Sequence, residues 1–304
     1  MPELPEVESL RRGLVPFTVG EKILKVEVLM PKLVSAKGTT RKSSESKTQQ
    51  FISGLTGRTI KDIDRRAKNI IFKLDDGSIM LVHLKMTGQL VFKGHKPNEG
   101  KESVVWGGHP IVETDENELP NKHTYVIFTM ENGTLYYNDV RQFGYLLYYP
   151  NQAEFDAEDH FKDLGLEPFS DEFTFENFKT QLQKHSGQLK KVFLDQKVVV
   201  GLGNIYADEV CFEAKILPMR TIKSLKESEI QALYNAIKRI LPLAVKLGGS
   251  SVANYLLADG SRGNYAREHK VYGRAGKECL VCGTTLEKVQ FAGRTTVYCP
   301  FCQK

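Results

Sequence analysis

The sequence predicts an α+β protein: an N-terminal β-sandwich led by one helix, a helical C-terminal domain, and a short cysteine-bearing β-hairpin at the end. Three observations carry this expectation. Apolar residues alternate with polar ones from about Ile23 to Tyr149, the period changes to that of a helix after Pro150, and four of the five cysteines fall in the last 26 residues. A chain of 304 residues has room for two domains, or for one large domain and an annex. A composition of 41% hydrophobic and 26% charged residues excludes a disordered, collagenous or disulfide-scaffold chain. No apolar stretch reaches the roughly 18 residues that would suggest a membrane span. Met1-Pro2-Glu3-Leu4-Pro5-Glu6 has neither the basic nor the apolar region of a secretory signal, so a cytoplasmic location is expected.

Taken in order, a short helix is expected from Leu4 or Pro5 to about Leu14, since proline is tolerated in a first turn. Alternation then marks strands over 22–29, 69–74, 79–84 and 125–130. Asn132-Gly133 and Asp76-Gly77 supply the positive φ of tight hairpin turns. Two stretches interrupt the pattern: 35–48, rich in Ser, Thr and Lys, and 95–122, polar and partly acidic, which reads as a long mobile loop between strands. Helical periodicity follows over about 174–184, 189–195, 204–214, 225–247 and 252–258, with Gly248-Gly249 stopping the long helix. The expected divisions are 1–150, 151–265 and 266–304.

Cys279-x2-Cys282 and Cys299-x2-Cys302, sixteen residues apart, have the spacing of two knuckles converging on one tetrahedral Zn²⁺. Redox or disulfide pairs are the alternatives. So small a segment buries no core of its own, so the metal would supply its folding energy. Four thiolates leave no open position, which makes the ion structural. The formal charge is +5, and His269 to Lys304 alone holds six Lys or Arg against two Glu, so most of the excess lies in this tail. A basic hairpin suits a nucleic-acid groove, and zinc ribbons also serve as plain structural staples. Cys211, within Val210-Cys211-Phe212, reads as a small buried hydrophobe.

Pro2 follows the initiator methionine, and a residue this small favours removal of Met1. The exposed proline nitrogen would be a secondary amine titrating near pH 7.7–8.0, far below a lysine. Its attack on a sugar C1′ would give an iminium that stays cationic because it has no N–H to lose, an electron sink suited to elimination. Glu3 and Glu6 follow within one helical turn, within reach for proton transfer. The same residues also read as a helix start whose acids the macrodipole favours.

Larger patterns bear on that choice. Met1-Pro2-Glu3-Leu4-Pro5-Glu6-Val7-Glu8 is followed in order by Arg65-Arg66-Ala67-Lys68, His83-Leu84-Lys85-Met86-Thr87-Gly88 and Asp139-Val140-Arg141-Gln142-Phe143-Gly144. Then come Leu194-Asp195-Gln196, the run from Val199 through Gly201-Leu202-Gly203-Asn204 to Glu209, Val271-Tyr272-Gly273-Arg274 and the four cysteines. This set, spanning nearly the whole chain, closely resembles the formamidopyrimidine-DNA glycosylases, bacterial enzymes that remove oxidised purines.

The resemblance implies two domains, the second with a helix–two-turn–helix element and a zinc finger, and double-stranded DNA in the cleft between them, bound by a monomer. Pro2 would be the nucleophile of base excision and strand scission, Glu3 the acid/base, and Glu6 a supporting carboxylate. Met86, Arg141 and Phe143 match the family's triad that fills the void left by an extruded nucleotide, a step that costs a few kcal/mol of stacking and pairing. Lys68, Lys190, Asn204 and Arg294 would clamp phosphates, with amides of the Gly201–Asn204 turn aiding at the positive end of a helix. Departures are Lys85 where the family commonly has Gly, and Val140 and Gln142 for the commoner Pro and Arg. The family's lesion-capping loop would fall near 250–265. An endonuclease VIII-like enzyme for oxidised pyrimidines, a lesion-binding protein without chemistry, and a zinc-ribbon transcription factor are the rival readings. Leu4 and the His83-Leu84-x-Met86 pattern favour the purine enzyme over the first.

Overall fold

Helix α1 (Leu4–Thr18) opens the computed structural model, which describes residues 1–38, 41–95, 102–108, 119–158, 161–250, 264–291 and 293–304. The chain divides into two compact units. Among the described residues, one holds Met1, Pro2, 6–158 and Ser250; the other holds Glu3–Pro5, 161–249 and 264–304.

The first unit is a sandwich of two antiparallel sheets. The strands are β1 (Ile23–Val28), β2 (Ile60–Arg66), β3 (Asn69–Leu74), β4 (Ile79–His83), β5 (Gly88–His95), β6 (Glu102–Gly108), β7 (Thr124–Met130), β8 (Gly133–Asp139) and β9 (Tyr145–Tyr149). One sheet runs β1-β7-β8-β5-β6 and the other β2-β3-β4-β9. Their shared core takes Ile23, Val26, Phe72, Val82, Leu90, Phe92, Phe128 and Tyr137 from the strands, with Val7, Leu10 and Leu14 from one face of α1. The spacing of those three residues is why α1 is a helix here: i, i+3 and i+7 fall on one stripe. β3 and β4 are buried along almost their whole length, so they show little alternation.

Both interruptions contain regular structure. The 35–48 stretch follows the single turn α2 (Lys32–Ser35) and leads into helix α3 (Glu45–Leu55). The Ser44 hydroxyl caps α3 by accepting from the Lys47 amide, and Phe51 and Leu55 fill the core one turn apart. The 95–122 stretch, expected as one long loop, holds β6, paired with β5 from Gln89↔Gly108 to His95↔Glu102. Residues 96–101 and 109–118 lie outside the described residues. Helix α4 (Gln152–Ala157), capped by Asn151, closes this unit.

The second unit is built on α5 (Phe175–Gln183), α6 (Leu189–Leu194), α7 (Asn204–Glu213) and the long α8 (Glu227–Lys246) around Phe178, Phe193, Tyr206, Val210, Leu233 and Ile237. These agree with the helical periodicity to within two residues at either end. Buried positions on α8 recur at 230, 233, 236, 237, 240, 241, 244 and 245, the stripe of a helix with one covered face. The ribbon strands β10 (Glu287–Phe291) and β11 (Arg294–Tyr298) pair antiparallel. Val297 and Leu286 pack there with Phe212 of α7 and with Val271. The helix expected over 252–258 and the lesion-capping loop lie outside the described residues, Ser250 and residues 264–265 apart. No helix among the described residues is long and apolar enough to cross a membrane.

Candidate active site and nucleic-acid interface

The acidic N-terminus and the glycine turn before α7 meet in one arrangement. The Glu3 carboxylate accepts hydrogen bonds from the amides of Gly203 (2.7 Å), Ile205 (2.9 Å) and Tyr206 (3.3 Å). It is the anion at the N-terminus of α7, where free N–H groups and the helix dipole converge. The glycines are needed for this approach. A Cβ on Gly203 would lie 2.4 Å from the Glu3 carboxyl carbon; Gly201, at φ +88°, faces the Leu4 side chain just as closely and its carbonyl accepts from the Leu4 amide. The expected use of this turn for a DNA phosphate is therefore narrowed: the Gly203 amide is taken by the chain's own Glu3 carboxylate and the Gly201 amide by the Gln196 side chain. Pro2, one bond before Glu3, is buried, while Met1 is 47% exposed. Glu6 is buried and accepts from the Ser250 amide at 2.7 Å.

Lys68 occupies the two-residue turn of the β2–β3 hairpin, after Ala67 at φ +54°, and is buried. That turn is anchored to α1. Glu8 receives Arg65 (3.0 Å), Arg11 (2.8 Å) and Arg12 (2.7 Å), and Arg65 reaches on to the Ala67 carbonyl (2.9 Å). Burial pushes the Glu8 carboxyl up, but hydrogen bonds from Arg11 and Arg12 and the charges of Arg11 and Arg65 outweigh it, holding the group at about 2.

Met86, Arg141 and Phe143 are brought together. The Arg141 guanidinium lies 3.1 Å from the Met86 sulfur and 4.6 Å over the Phe143 ring. Met86 is on the β4–β5 turn and the other two on the β8–β9 loop, as their neighbouring glycines suggest. Thr87 joins the two: its hydroxyl bonds Asp139 and accepts from the Arg141 amide. The departures at Lys85 and Gln142 both sit at positive φ, +51° and +55°. Lys85 thus carries the backbone cost that a glycine would avoid. Its ammonium is pushed down by burial and by Arg41.

Lys190 is corrected. Expected as a phosphate contact, it has no exposed surface: its ammonium pairs with Asp208 at 2.7 Å and donates to the Thr296 hydroxyl (2.8 Å) and the Thr295 carbonyl (3.2 Å). Asp208 in turn accepts from the Val297 amide, and burial pushes its carboxyl up to about 7 against the pull of Lys190. The pair ties α6, α7 and β11 together. Asn204 reaches the same strand, donating to the Thr295 carbonyl at 3.1 Å. Arg294, the first residue of β11, is exposed. Tyr272 was not singled out from the sequence, although it lies in a motif that was. Burial together with the Glu3 charge raises its hydroxyl, against the pull of the Asn204 side chain. Buried Glu209 holds Tyr272 by accepting from the amides of Lys270, Val271 and Tyr272 (2.8–3.0 Å). A carboxylate buried inside an apolar helix was the available signal.

The four cysteine sulfurs lie within 4.8 Å of one another, Cys279 and Cys302 at 3.9 Å and Cys282 and Cys299 at 3.5 Å. A tetrahedral Zn²⁺ with bonds of about 2.3 Å sets its thiolates about 3.8 Å apart, so the donors fit that ion.

Comparison with known proteins decides the family. Residues 1–146 match the formamidopyrimidine-DNA glycosylase N-terminal domain, 164–255 its H2TH domain, and 276–304 the zinc finger found in FPG and IleRS. The chain belongs to the formamidopyrimidine-DNA glycosylase family. The glycosylase of Listeria innocua is 40% identical to it and that of Carboxydothermus hydrogenoformans 36%, each over the whole of both chains. Among solved structures, the Lactococcus lactis Fpg bound to abasic-site DNA superposes with a TM-score of 0.83 at 35% identity, covering 99% of each chain. A point mutant of that Fpg, bound to DNA containing Fapy-dG, gives 0.83 at 35% over the whole of both. The glycosylase has one structural Zn²⁺ site, formed by Cys279, Cys282, Cys299 and Cys302. When bound, the ion supplies folding energy to a ribbon too small to hold itself.

Proposed function

We propose that this glycosylase excises oxidised purines, 8-oxoguanine and ring-opened formamidopyrimidines, from double-stranded DNA and then cleaves the abasic strand by β- and δ-elimination. The observation that carries this reading is the Glu3 carboxylate, fixed by three amides at the start of α7 and covalently next to Pro2. Once Met1 is removed, the Pro2 nitrogen attacks C1′ as the bond from C1′ to the base breaks, and the base leaves with a proton. Glu3 delivers a proton to the ring oxygen, and ring opening yields the iminium. Loss of a C2′ proton expels the 3′ phosphate, a further elimination expels the 5′ phosphate, and water then frees the proline. Glu6, bound to Ser250, serves as the second carboxylate.

Lys68, Asn204, Tyr272 and Arg294 contact the phosphates around the lesion, which gives salt-dependent affinity without sequence choice. Lys190 acts through the ribbon it holds. The contacts of Arg141 with both Met86 and Phe143 support their use as one wedge, with the remaining N–H groups of the guanidinium bonding the orphaned base. The protein works as a monomer in the bacterial cytoplasm.

The test is borohydride trapping on duplexes carrying one lesion each, with the mass of the mature N-terminus measured on the same sample. Wild type should give a covalent adduct and nicked 8-oxoguanine DNA. Pro2→Gly should still bind DNA but lose most of the nicking. Undiminished nicking by Pro2→Gly, or an active protein that retains Met1, overturns the mechanism. Excision of dihydrothymine with little of 8-oxoguanine overturns the substrate.

A further inference from the structure

The 35–48 stretch has no counterpart in the motifs above, yet it sends one side chain to the wedge loop. Arg41 is half-buried and all three of its guanidinium nitrogens are used. Nε donates to the Lys32 carbonyl at the start of α2 (2.7 Å) and Nη1 to the Gly38 carbonyl. Nη2 donates to the carbonyls of Gln142 (2.9 Å) and Gly144 (2.6 Å), the residues on either side of Phe143. Asp139 holds the same loop through its amides: its carboxylate accepts from the Gly144 N–H (2.7 Å) and its carbonyl from the Gln142 N–H (3.1 Å). The loop is thus held through its donors by the Asp139 carboxylate and carbonyl and through its acceptors by the Arg41 cation, while Phe143 and Arg141 project from it. Gln142 lies in the left-handed region, a conformation that needs such outside support.

We propose that Arg41 is a positioning residue for insertion: it fixes the Gln142–Gly144 backbone so that Phe143 and Arg141 meet DNA already in place. This rests on the reading of Met86, Arg141 and Phe143 as the void-filling wedge. A loop ordered before binding does not lose its conformational freedom during binding, so its removal is felt as weaker capture of a paired lesion. A point-charge lysine lacks the planar fork that serves two carbonyls and the Lys32 tether together.

The experiment compares wild type, Arg41→Met and Arg41→Lys. Arg41→Met should weaken binding to a duplex with a tetrahydrofuran abasic analogue about tenfold, the scale of one charge-assisted hydrogen bond. It should raise KM for excision of 8-oxoguanine from duplex by a similar factor with kcat little changed. It should also blunt the fluorescence rise of a 2-aminopurine placed beside the lesion, which reports unstacking by the wedge. Cleavage of single-stranded abasic DNA, where no void is filled, should stay at the wild-type rate, and Arg41→Lys should fall between the two. Wild-type fluorescence and KM in Arg41→Met overturn the proposal. So does an equal loss on paired and single-stranded substrates, which marks a merely structural role. Absence of all excision and cleavage by wild type instead overturns the functional reading beneath it.

Discussion

Lys190 and Asp208 put two opposite charges wholly out of water, with side-chain exposure of 0% for both. Such a pair adds little net stability, but removing one partner strands the other in a low-dielectric site at a cost of about 3–5 kcal/mol. Lys190→Ala should therefore lower the urea midpoint sharply. The double substitution Lys190→Met with Asp208→Leu should recover most of the loss, since two apolar groups need no partner. If Lys190 instead met phosphate directly, the single variant would keep its stability and lose only affinity and about one unit of salt slope. The lysine was legible in the sequence as important and its role was misread. A lysine on a short helix looks the same whether it faces solvent or a carboxylate eighteen residues on, and only packing distinguishes them.

At the scale of elements, α1 and the β2–β3 hairpin are joined by Glu8 and its three arginines. Its depressed carboxyl gives a pH dependence whose sign is fixed. Unfolded, a glutamate titrates near 4.3; folded, Glu8 titrates at about 2. Its stabilisation is thus full above the unfolded value and is lost as pH falls from about 4.5 to 2. Allowing for solvent at the exposed Arg12, about 2 kcal/mol is at stake. Acid titration of thermal stability should show this step in wild type and not in Glu8→Gln; an unchanged profile would assign the acid sensitivity elsewhere. The strands the sequence marked are its most apolar stretches, and two of them, β3 and β4, are buried along almost their whole length. β2, with Asp62, Asp64 and two arginines, and β6, inside a polar stretch, are held by neighbours rather than by their own pattern. Helix α3 was readable in principle from Ser44, Phe51 and Leu55, a cap followed by two core residues one turn apart.

For the whole molecule, the zinc ribbon and the sandwich have different sources of stability. Val271, Leu286 and Val297 are few against the sandwich core, so metal loss should unfold the ribbon and leave the first unit intact. Arg294 and the strand that Asn204 and Lys190 hold would go with it. Chelation, verified by metal analysis, should abolish affinity for lesion duplex while strand circular dichroism from the sandwich persists. Unchanged binding after metal loss would contradict the ribbon's part in DNA contact.

Sequence by itself determined the order of helix, strands, helices and ribbon, the four thiolates and the adjacency of Pro2 and Glu3, the pair proposed as nucleophile and acid. These rest on local periodicity, short spacings and the covalent adjacency of Pro2 to Glu3, and each survives any packing. Only the tertiary structure decided that Glu3 occupies the α7 amides, that Lys190 is buried and that Arg41 grips the β8–β9 loop. Those outcomes join residues 200, 106 and 103 positions apart, where one-dimensional pattern carries no distance and hydrogen-bond competition among donors is settled in three dimensions.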